Sequence, residues 1–412
     1  MPVTRNRLLF FIGMLCGDVA YQIQNVAVAW HVFVLHHRPF DLGLVGLALF
    51  LPTFAFALPA GVFADRHDRR AIVAGSAMIE ALCAGAFVAA VLWHVTALGA
   101  YLAILAVVGT TRAFGTPAER ALLPGIVSKD DYMQAQATYS ALRQIVVIAG
   151  PAVGGALGAI STPLAFGVAI VALVGFALSI FALRIERVVT ERAAATWRDA
   201  LEGLRFVRDN PIMAGAISLD LFAVLFGGAT ALLPAFADGI FHAGPSGLGA
   251  LRSAPAVGAA LVAAVLSRRP LRRNVGRTLM FAVAGFGVAT IAFGLSRSFV
   301  LSLLMLAIAG GTDMVSVVIR SSLVQLATPD AMRGRVNAVE NVFIGASNEL
   351  GAFESGTAAA LIGVVPSVVV GGVGTLAIIA LWAVFFPALR RADRIGGPAN
   401  ATALTNAAAS FP

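Results

Sequence analysis

Charge is scarce in this chain, since only 12% of its 412 residues are Asp, Glu, Lys or Arg. A soluble domain typically carries about 25% charged residues. Hydrophobic residues make up 59% of the chain, and burying so many of them in water would need a larger core than a single domain supplies. The solvent around most of these side chains must therefore be lipid. A bilayer core about 30 Å thick is crossed by about 20 apolar residues in a helix.

Cysteine is scarcer still, and several kinds of reactive site are missing. Cys16 and Cys83 are the only thiols and lie far apart in apolar runs, which excludes a disulfide framework and a thiol metal site. The six histidines do not cluster. No phosphate-binding loop and no nucleophile–base pair is present, so we expect neither ATP hydrolysis nor an enzyme. We also predict no metal and no cofactor.

Lysine is nearly absent, with Lys129 as the one lysine beside 28 arginines. The net charge of +8 would suggest a nucleic-acid partner in a soluble protein, but here the placement of the charges is more informative. The chain contains twelve apolar runs, each long enough to predict a membrane span. They cover residues 8–34, 42–64, 71–93, 98–119, 134–160, 163–183, 211–236, 247–267, 278–296, 299–326, 336–362 and 367–387.

The basic residues between these runs predict the orientation. With the N-terminus inside, 23 of them fall on the cytoplasmic side, whereas only Arg38 and Arg297 fall outside. This imbalance follows the positive-inside rule, so both termini are expected to be cytoplasmic. The N-terminus resembles a signal peptide, but no cleavage site follows it, and we predict an uncleaved first span in an inner membrane.

The chain is organised as two repeated halves. The segment 118–130, "AERALLPGIVSKD", resembles 318–330, "VIRSSLVQLATPD", and Asp18 and Asp220 occupy similar places in the first and seventh runs. Such internal similarity predicts two parallel six-span halves, 1–183 and 211–390. The connector 184–210 places apolar residues at helical spacing and predicts an amphipathic helix in its latter half. The tail, 391–412, has the composition of a disordered segment. The apolar residues of the connector are Trp197, Leu201, Leu204 and Val207.

A dense charge cluster, "GVFADRHDRR", lies between the second and third runs. It resembles the loop signature of the major facilitator superfamily, although Asp68 stands where that family usually has glycine. The resemblance implies an all-α membrane protein of twelve transmembrane helices in two pseudo-symmetric six-helix bundles. Asp65 can face the positive end of a neighbouring helix and pair with arginines, which would form a latch between transport states. The matching residues are Gly61, Asp65, Arg66, Arg69 and Arg70.

A second stretch, "GPAVGG", lies in the fifth run and resembles the glycine–proline signature of exporters in this superfamily. Pro151 is expected to kink the helix, and Gly150, Gly154 and Gly155 to admit a close neighbour. A wider likeness covers roughly residues 8 to 390. It points to the branch that contains bacterial enterobactin exporters and macrolide efflux proteins.

Charges inside the spans predict a polar centre, because each one costs at least a few kcal/mol in lipid. Asp18, Gln22 and Asn25 share one helical face. An apolar cavity favours a protonated carboxyl group, whereas Arg112 would favour the ionised form, so protons and substrate could compete there. Glu340, near the inner end of its span, is expected to be solvated. Spans 3, 6, 9 and 12 are nearly free of charge, and the resemblance to the superfamily implies that they are peripheral. The remaining cavity candidates are Arg143, Asp220, Asp313 and Glu349.

These features together predict a proton-coupled exporter that works by alternating access. The expected substrate is a small amphipathic molecule of the drug or siderophore class, and a functional monomer in the lipid bilayer without nucleic acid is expected. A lysophospholipid flippase or a solute importer of the same fold is an alternative. A non-transporting sensor or assembly component is an alternative from another class, and it should tolerate the loss of the midplane charges.

Overall fold

The structure is a computed structural model that describes residues 2–184, 197–271, 273–329 and 332–393. Within these ranges the chain forms helices joined by short turns, and no strand occurs in them, which confirms the all-α prediction. The helices are α1 (Pro2–His36), α2 (Pro39–Arg66), α3 (Arg69–Leu92), α4 (Leu98–Arg120), α5 (Lys129–Ile160), α6 (Thr162–Phe181), α7 (Trp197–Asp209), α8 (Pro211–Phe226), α9 (Leu233–Gly239), α10 (Gly244–Arg268), α11 (Val275–Leu295), α12 (Phe299–Ala327), α13 (Arg333–Ile362), α14 (Val364–Phe385) and α15 (Pro387–Arg390).

Each predicted span except the seventh falls on a single helix. Ten segments of the described chain are long and apolar enough to cross a membrane. The predicted first and eleventh spans are α1, with 35 residues, and α13, with 30. Both helices have the length to cross, but polar residues such as Gln22 and Glu349 lower their mean hydropathy. The predicted disordered tail falls on residues 391–412, of which those beyond 393 lie outside the described residues, as does 185–196 of the connector.

Local sequence signals explain where several helices begin. The Ser128 hydroxyl accepts a hydrogen bond from the Asp131 amide at the start of α5, and Ser161 caps α6 in the same way. The Asn210 side chain accepts from two amides at the start of α8. Each of these caps satisfies backbone donors that have no partner within the helix, so the connectors between apolar runs can be very short.

The chain packs as two compact units. The first comprises Met1–Ala195 and Pro234–Ser253, and the second comprises Thr196–Leu233 and Ala254–Pro412. The segment from Pro234 to Ser253, which includes α9 and the start of α10, therefore packs with the N-terminal part of the chain. The repeat in the sequence divides the chain differently, into halves on either side of the connector.

In the first unit, α1 lies against α5 and α6, α3 lies against α4 and α6, and α2 lies along α4. Two apolar clusters stabilise this arrangement. One contains Phe10, Phe176 and Ile180, toward the basic ends of the helices. The other contains Phe87 and Phe166, whose rings stack with centroids 5.1 Å apart. The first unit is thus closely packed along much of its helices.

In the second unit, α11 packs against α12 and α14, and α13 packs against α7, α8 and α14. The amphipathic helix expected in the connector is α7. Its residues Phe206 and Val207 are buried beside Val336 of α13, whereas Leu201 and Leu204 are exposed. Only part of the apolar face predicted for this helix therefore rests on the protein.

The predicted seventh span is not one continuous helix. It ends as α8 at Phe226 and resumes as α9 at Leu233, after Gly227 and a 3-10 turn at Ala229–Leu232. A Cβ on Gly228 would lie 2.6 Å from the Gly351 carbonyl oxygen of α13, so a larger residue would not fit there. Discontinuous helices in transporters expose backbone groups near substrate and ion sites.

The contact between α2 and α4 depends on one glycine. A Cβ on Gly109 would lie 2.4 Å from the Leu49 carbonyl oxygen of α2, and the Thr53 hydroxyl donates to the Gly109 carbonyl at 2.9 Å. Gly99, in the same helix α4, has no atom within 4 Å of its Cβ position.

We predict that Gly109→Ala lowers the thermal unfolding temperature of the purified protein, because α2 and α4 must move apart at a cost of about 1–3 kcal/mol. Gly99→Ala is the matched control and should leave the temperature unchanged or slightly raised. Unfolding is followed by intrinsic fluorescence in detergent. Equal temperatures for the two variants would contradict this packing.

Candidate functional site

Asp18 lies near the middle of α1 and contacts two side chains of α5. Its Oδ1 is 3.4 Å from Nε of Arg143, and its Oδ2 accepts a hydrogen bond from the Tyr139 hydroxyl at 3.3 Å. Tyr139 and Arg143 are four residues apart, so they share one face of α5. The structure therefore joins two residues predicted for the site, Asp18 and Arg143. Tyr139 was missed because a single tyrosine in an apolar run gives no signal.

Arg112 of α4 has a different acidic partner. Its Nη2 is 3.3 Å from Oε2 of Glu80 in α3, and its guanidinium lies over the ring of Tyr21, 4.5 Å from the centroid. The sequence placed span 3 at the periphery, but Glu80 points toward α4. Arg112 thus neutralises Glu80 directly, whereas the predicted effect of Arg112 on Asp18 involves no contact between the two side chains among the described bonds.

A third carboxylate, Glu119, connects these two ion pairs. It lies near the end of α4 and interacts electrostatically with Asp18, Arg143 and Glu80. Arg143 and the exposed Arg120 both act on Glu119, but its carboxylate forms no ion pair or hydrogen bond within the described residues. A bound proton can therefore neutralise it without breaking an existing pair. The site prediction did not include Glu119, although the predicted fourth span, 98–119, ends on it.

The glycines of "GPAVGG" form contacts between helices. A Cβ on Gly150 would lie 2.6 Å from the Gln22 Cβ of α1, and one on Gly154 would lie 3.0 Å from the Ile23 Cα. A Cβ on Gly155 would lie 2.5 Å from the Pro245 carbonyl oxygen in α10. This stretch lets α5 approach both α1 and α10 closely.

Pro151 and Asn25 are two further predicted residues of these helices. Helix α5 continues through Pro151, whose carbonyl oxygen lies close to Gly249 of α10. Asn25 is half-buried in α1, one turn beyond Gln22. The close contact of Gln22 with Gly150 places the polar face of α1 toward α5, where Asp18 is also paired.

In the second unit, Asp220 of α8 pairs with Arg320 of α12, and Nε of Arg320 is 3.5 Å from Oε1 of Glu340 in α13. All three side chains are largely buried, with 8%, 5% and 14% of their surface exposed, respectively. The expectation that Glu340 is solvated is wrong, because α13 carries it inward to Arg320. These ion pairs join α8, α12 and α13, so the network stabilises the packing of three helices.

Asp313 and Glu349 are two further predicted residues of the second unit. Asp313 of α12 is partly buried, and no ion pair or hydrogen bond reaches its carboxylate in the described part of the chain. Glu349 is partly buried in α13. Asp313 is therefore a carboxylate of the membrane region without a cation from the protein beside it.

One arginine that the site prediction did not include has an unusual environment. Arg252 of α10 has a buried Nε atom that lacks a hydrogen-bond partner among the described residues, and Tyr21 lies within electrostatic range of its guanidinium. An unpaired cation in a membrane protein is costly. Because Tyr21 also contacts Arg112, the first unit places two arginines near one partly exposed aromatic ring.

The charged connector between α2 and α3 is held by its own ion pairs. Asp65 lies 3.7 Å from Arg69, and Asp68 caps α3 and pairs with Arg70 at 2.9 Å. The hydrogen bond from Arg70 holds the pKa of Asp68 below its usual value. This contact is therefore present at neutral pH and is lost as the pH falls through the lowered pKa.

The arginines of this connector also reach the ends of other helices. Arg69 donates to the Ala121 carbonyl after α4 at 3.4 Å, and Arg70 donates to the Leu183 carbonyl after α6 at 2.7 Å. Cations at helix C-termini are favourable because they face the negative end of the helix dipole. Arg66 is exposed, and Gly61 has open space around its Cβ position. The contacts of the predicted latch thus lie at helix C-termini.

Comparison with known proteins identifies relatives over nearly the whole chain. The model of a family described as "Transmembrane secretion effector" matches residues 5–402. The enterobactin exporter EntS of Escherichia coli O81 (strain ED1a) is 25% identical over 386 residues, which cover 92% of each chain. EntS of Shigella boydii serotype 18 (strain CDC 3083-94 / BS512) matches with the same identity and coverage.

Solved transporter structures share the fold. The nucleoside transporter NupG superposes with a TM-score of 0.71 at 15% identity, over 94% of this chain and 99% of that one. A bacterial homolog to the human lysosomal transporter Spinster, inward-facing and unoccupied, gives 0.73 at 14% identity over 98% of both chains. A bacterial homologue of the iron transporter ferroportin gives 0.71 at 16% identity, over 95% and 100%. At these identities the likeness shows the fold, which agrees with the predicted fold class.

We predict that Arg320→Gln lowers the free energy of unfolding by about 3–5 kcal/mol, because it leaves two buried carboxylates without a cation. Arg297→Gln removes an exposed arginine from a connector and serves as the control. Thermal unfolding of both purified variants in detergent checks this. The network is not structural if Arg320→Gln unfolds at the temperature of the control.

Proposed function

The chain belongs to the transmembrane secretion effector family of the major facilitator superfamily, and we propose that it is a proton-coupled exporter of small amphipathic organic molecules. As a member of this family it is a multi-pass membrane transporter and not an enzyme. The proposed substrates are of the drug or siderophore class. The enterobactin exporters that are similar over 92% of the chain favour the siderophore class.

The observation that carries the proposal is the carboxylate of Glu119, which lies beside the two ion pairs of the first unit. Asp18 pairs with Arg143 and Glu80 with Arg112, whereas Glu119 forms no ion pair or hydrogen bond in the described part of the chain. Leaving one carboxylate uncompensated in the membrane costs several kcal/mol, and a bound proton removes that cost. A group that must gain a proton on one side of the membrane and release it on the other is what a proton-driven transporter requires.

Asp18 is the carboxylate best placed to couple a proton to movement. When it is ionised it pairs with Arg143, and this pair joins α1 to α5. When Asp18 is protonated, its carboxyl group carries no charge and the Coulomb attraction to the Arg143 guanidinium is lost. Because Gly150 and Gly154 hold α5 very close to α1 in the same region, a change in this pair bears directly on the packing of the two helices.

The two arginines near Tyr21 favour a substrate that carries an anionic or aromatic group. Arg252 has no described partner for its Nε, and Arg112 stacks on the Tyr21 ring. A substrate carboxylate or phenolate can provide the missing charge for Arg252, and an aromatic ring can pack beside Tyr21. Release of Arg143 upon protonation of Asp18 changes the charge of the same region, so that substrate and proton compete.

The proposed cycle is alternating access driven by the proton gradient, without a cofactor. The connector between α2 and α3 would act as the latch, because Arg69 and Arg70 bind carbonyl groups at the ends of α4 and α6. Such contacts can form in one state and break in the other. The proposed location is the inner membrane, and the proposed functional state is a monomer. The basic connectors favour an orientation with both termini in the cytoplasm. The halves 1–183 and 211–390 are the proposed moving parts.

We predict that cells that produce the wild type export ethidium or enterobactin, that a protonophore stops this export, and that Asp18→Asn reduces it at least about tenfold by fixing the neutral form. Glu119→Gln should have a similar effect, because it removes the carboxylate that has no direct partner in the described chain. Asp130→Asn changes an exposed carboxylate at the start of α5 and is the matched control. Export is measured as loss of label from preloaded cells.

Each alternative outcome has a distinct meaning. Export that continues with the protonophore would exclude proton coupling. Equal export by Asp18→Asn and Asp130→Asn would remove Asp18 from the pathway. Accumulation of the label in the cells would indicate an importer. Cells that export neither label at a rate above that of empty cells would contradict the proposed substrate class.

A further inference from the structure

A groove with a volume of about 630 Å³ lies in the second unit, between α11, α14 and α15. Its wall is apolar, formed by Met280, Phe281 and Ile379, and its rim is basic, formed by Arg277, Arg390 and Arg391. The volume is in the range of sites that hold small organic ligands. None of the residues proposed for transport belongs to this groove.

The backbone fixes the three arginines beside one another. Arg277 lies in the first turn of α11, and the Gly276 amide donates to the Ala392 carbonyl at 2.9 Å. A Cβ on Gly276 would lie 1.8 Å from the Leu389 carbonyl oxygen, so only glycine allows this approach. Arg390 and Arg391 follow directly after Leu389. The start of α11 and the end of the described chain thus present their arginines together.

No described residue neutralises the side chains of these arginines. In the described part of the chain, no ion pair or hydrogen bond is formed by the side chain of Arg277, Arg390 or Arg391. The nearest acidic group in the sequence, Asp393, accepts a hydrogen bond from the Asn274 amide at 3.1 Å. Three guanidinium groups around one opening form a strong site for an anion such as a phosphate group.

The apolar wall determines what kind of anion fits. Phe281 lies in a membrane-spanning helix, and 76% of its surface is exposed. Its ring is therefore expected to contact lipid hydrocarbon. The wall runs from the basic rim along α11, because Arg277 and Phe281 are four residues apart on the same face. A ligand that satisfies both parts has a negatively charged head at the rim and a hydrocarbon chain along Phe281.

We propose that this groove binds an anionic phospholipid of the bilayer, with its phosphate among the three arginines and an acyl chain against Met280 and Phe281. Basic pockets between transmembrane helices bind anionic lipid head groups in this way. A zwitterionic lipid fits less well, because its ammonium group would lie among three cations. The site does not depend on the proposed transport function, since it needs only a membrane around the second unit.

The test measures lipid binding to the purified full-length protein by native mass spectrometry and thermal unfolding. Phosphatidylglycerol should bind and raise the unfolding temperature, whereas phosphatidylcholine should not. The variant with Arg277→Gln, Arg390→Gln and Arg391→Gln should bind phosphatidylglycerol at least about tenfold more weakly, because each arginine near anionic lipid contributes favourably. The control carries Arg205→Gln, Arg208→Gln and Arg297→Gln, which remove the same charge elsewhere and should bind like the wild type.

Two more measurements keep the test decisive if the triple variant does not fold. A photoreactive phosphatidylglycerol should label the wild type within residues 277–284, and the phosphatidylcholine analogue should not. Inorganic phosphate alone should give no stabilisation, because it lacks the chain. The proposal is overturned if both lipids bind equally, or if the triple groove variant binds phosphatidylglycerol like the wild type. It is also overturned if the label attaches outside the groove, or if inorganic phosphate stabilises the protein to the same extent.

Discussion

The cost of placing charge in hydrocarbon shapes the arrangement of helices in both units. Each ionised side chain in a span costs at least a few kcal/mol unless a partner or water compensates it. Arg143 of α5 neutralises Asp18, and Glu80 of α3 neutralises Arg112. Arg320 of α12 does the same for Asp220. Each of these pairs joins two helices, so the charges fix which faces meet. Small residues such as Gly109 and Gly150 then allow the helices to approach closely.

The groups that stay uncompensated identify where the protein can act. In the first unit, the Glu119 carboxylate and the Nε of Arg252 have no direct partner among the described residues. In the second unit, Asp313 has no partner in the described chain. A proton or a charged ligand can compensate each of these sites in a way that reverses, which a permanent ion pair cannot do. In the network around Arg320, by contrast, both carboxylates are buried and contact the same arginine directly.

Much of the fold could be predicted from the sequence, because apolar length and basic connectors are strong signals in lipid. Eleven of the twelve predicted spans each fall on one helix, the seventh is divided between α8 and α9, and α7 lies in the latter half of the connector. The break at Gly227 was not predicted, since hydropathy does not register a local turn. The sequence also predicted which residues are charged inside the membrane, but not their partners. Glu80 was assigned to the periphery and Glu340 to solvent, because pairing depends on the rotation of each helix, which a mean hydropathy does not contain.

The central claim is that protonation of Asp18 releases Arg143, and a double-mutant cycle at two pH values tests it most directly. The unfolding temperatures of Asp18→Asn, Arg143→Gln and the double variant are compared with that of the wild type at alkaline and at acidic pH. The account predicts a clear coupling between the two substitutions at alkaline pH, where Asp18 is ionised, and a much smaller one at acidic pH. Additive effects at both values, or a coupling that does not change with pH, would contradict it.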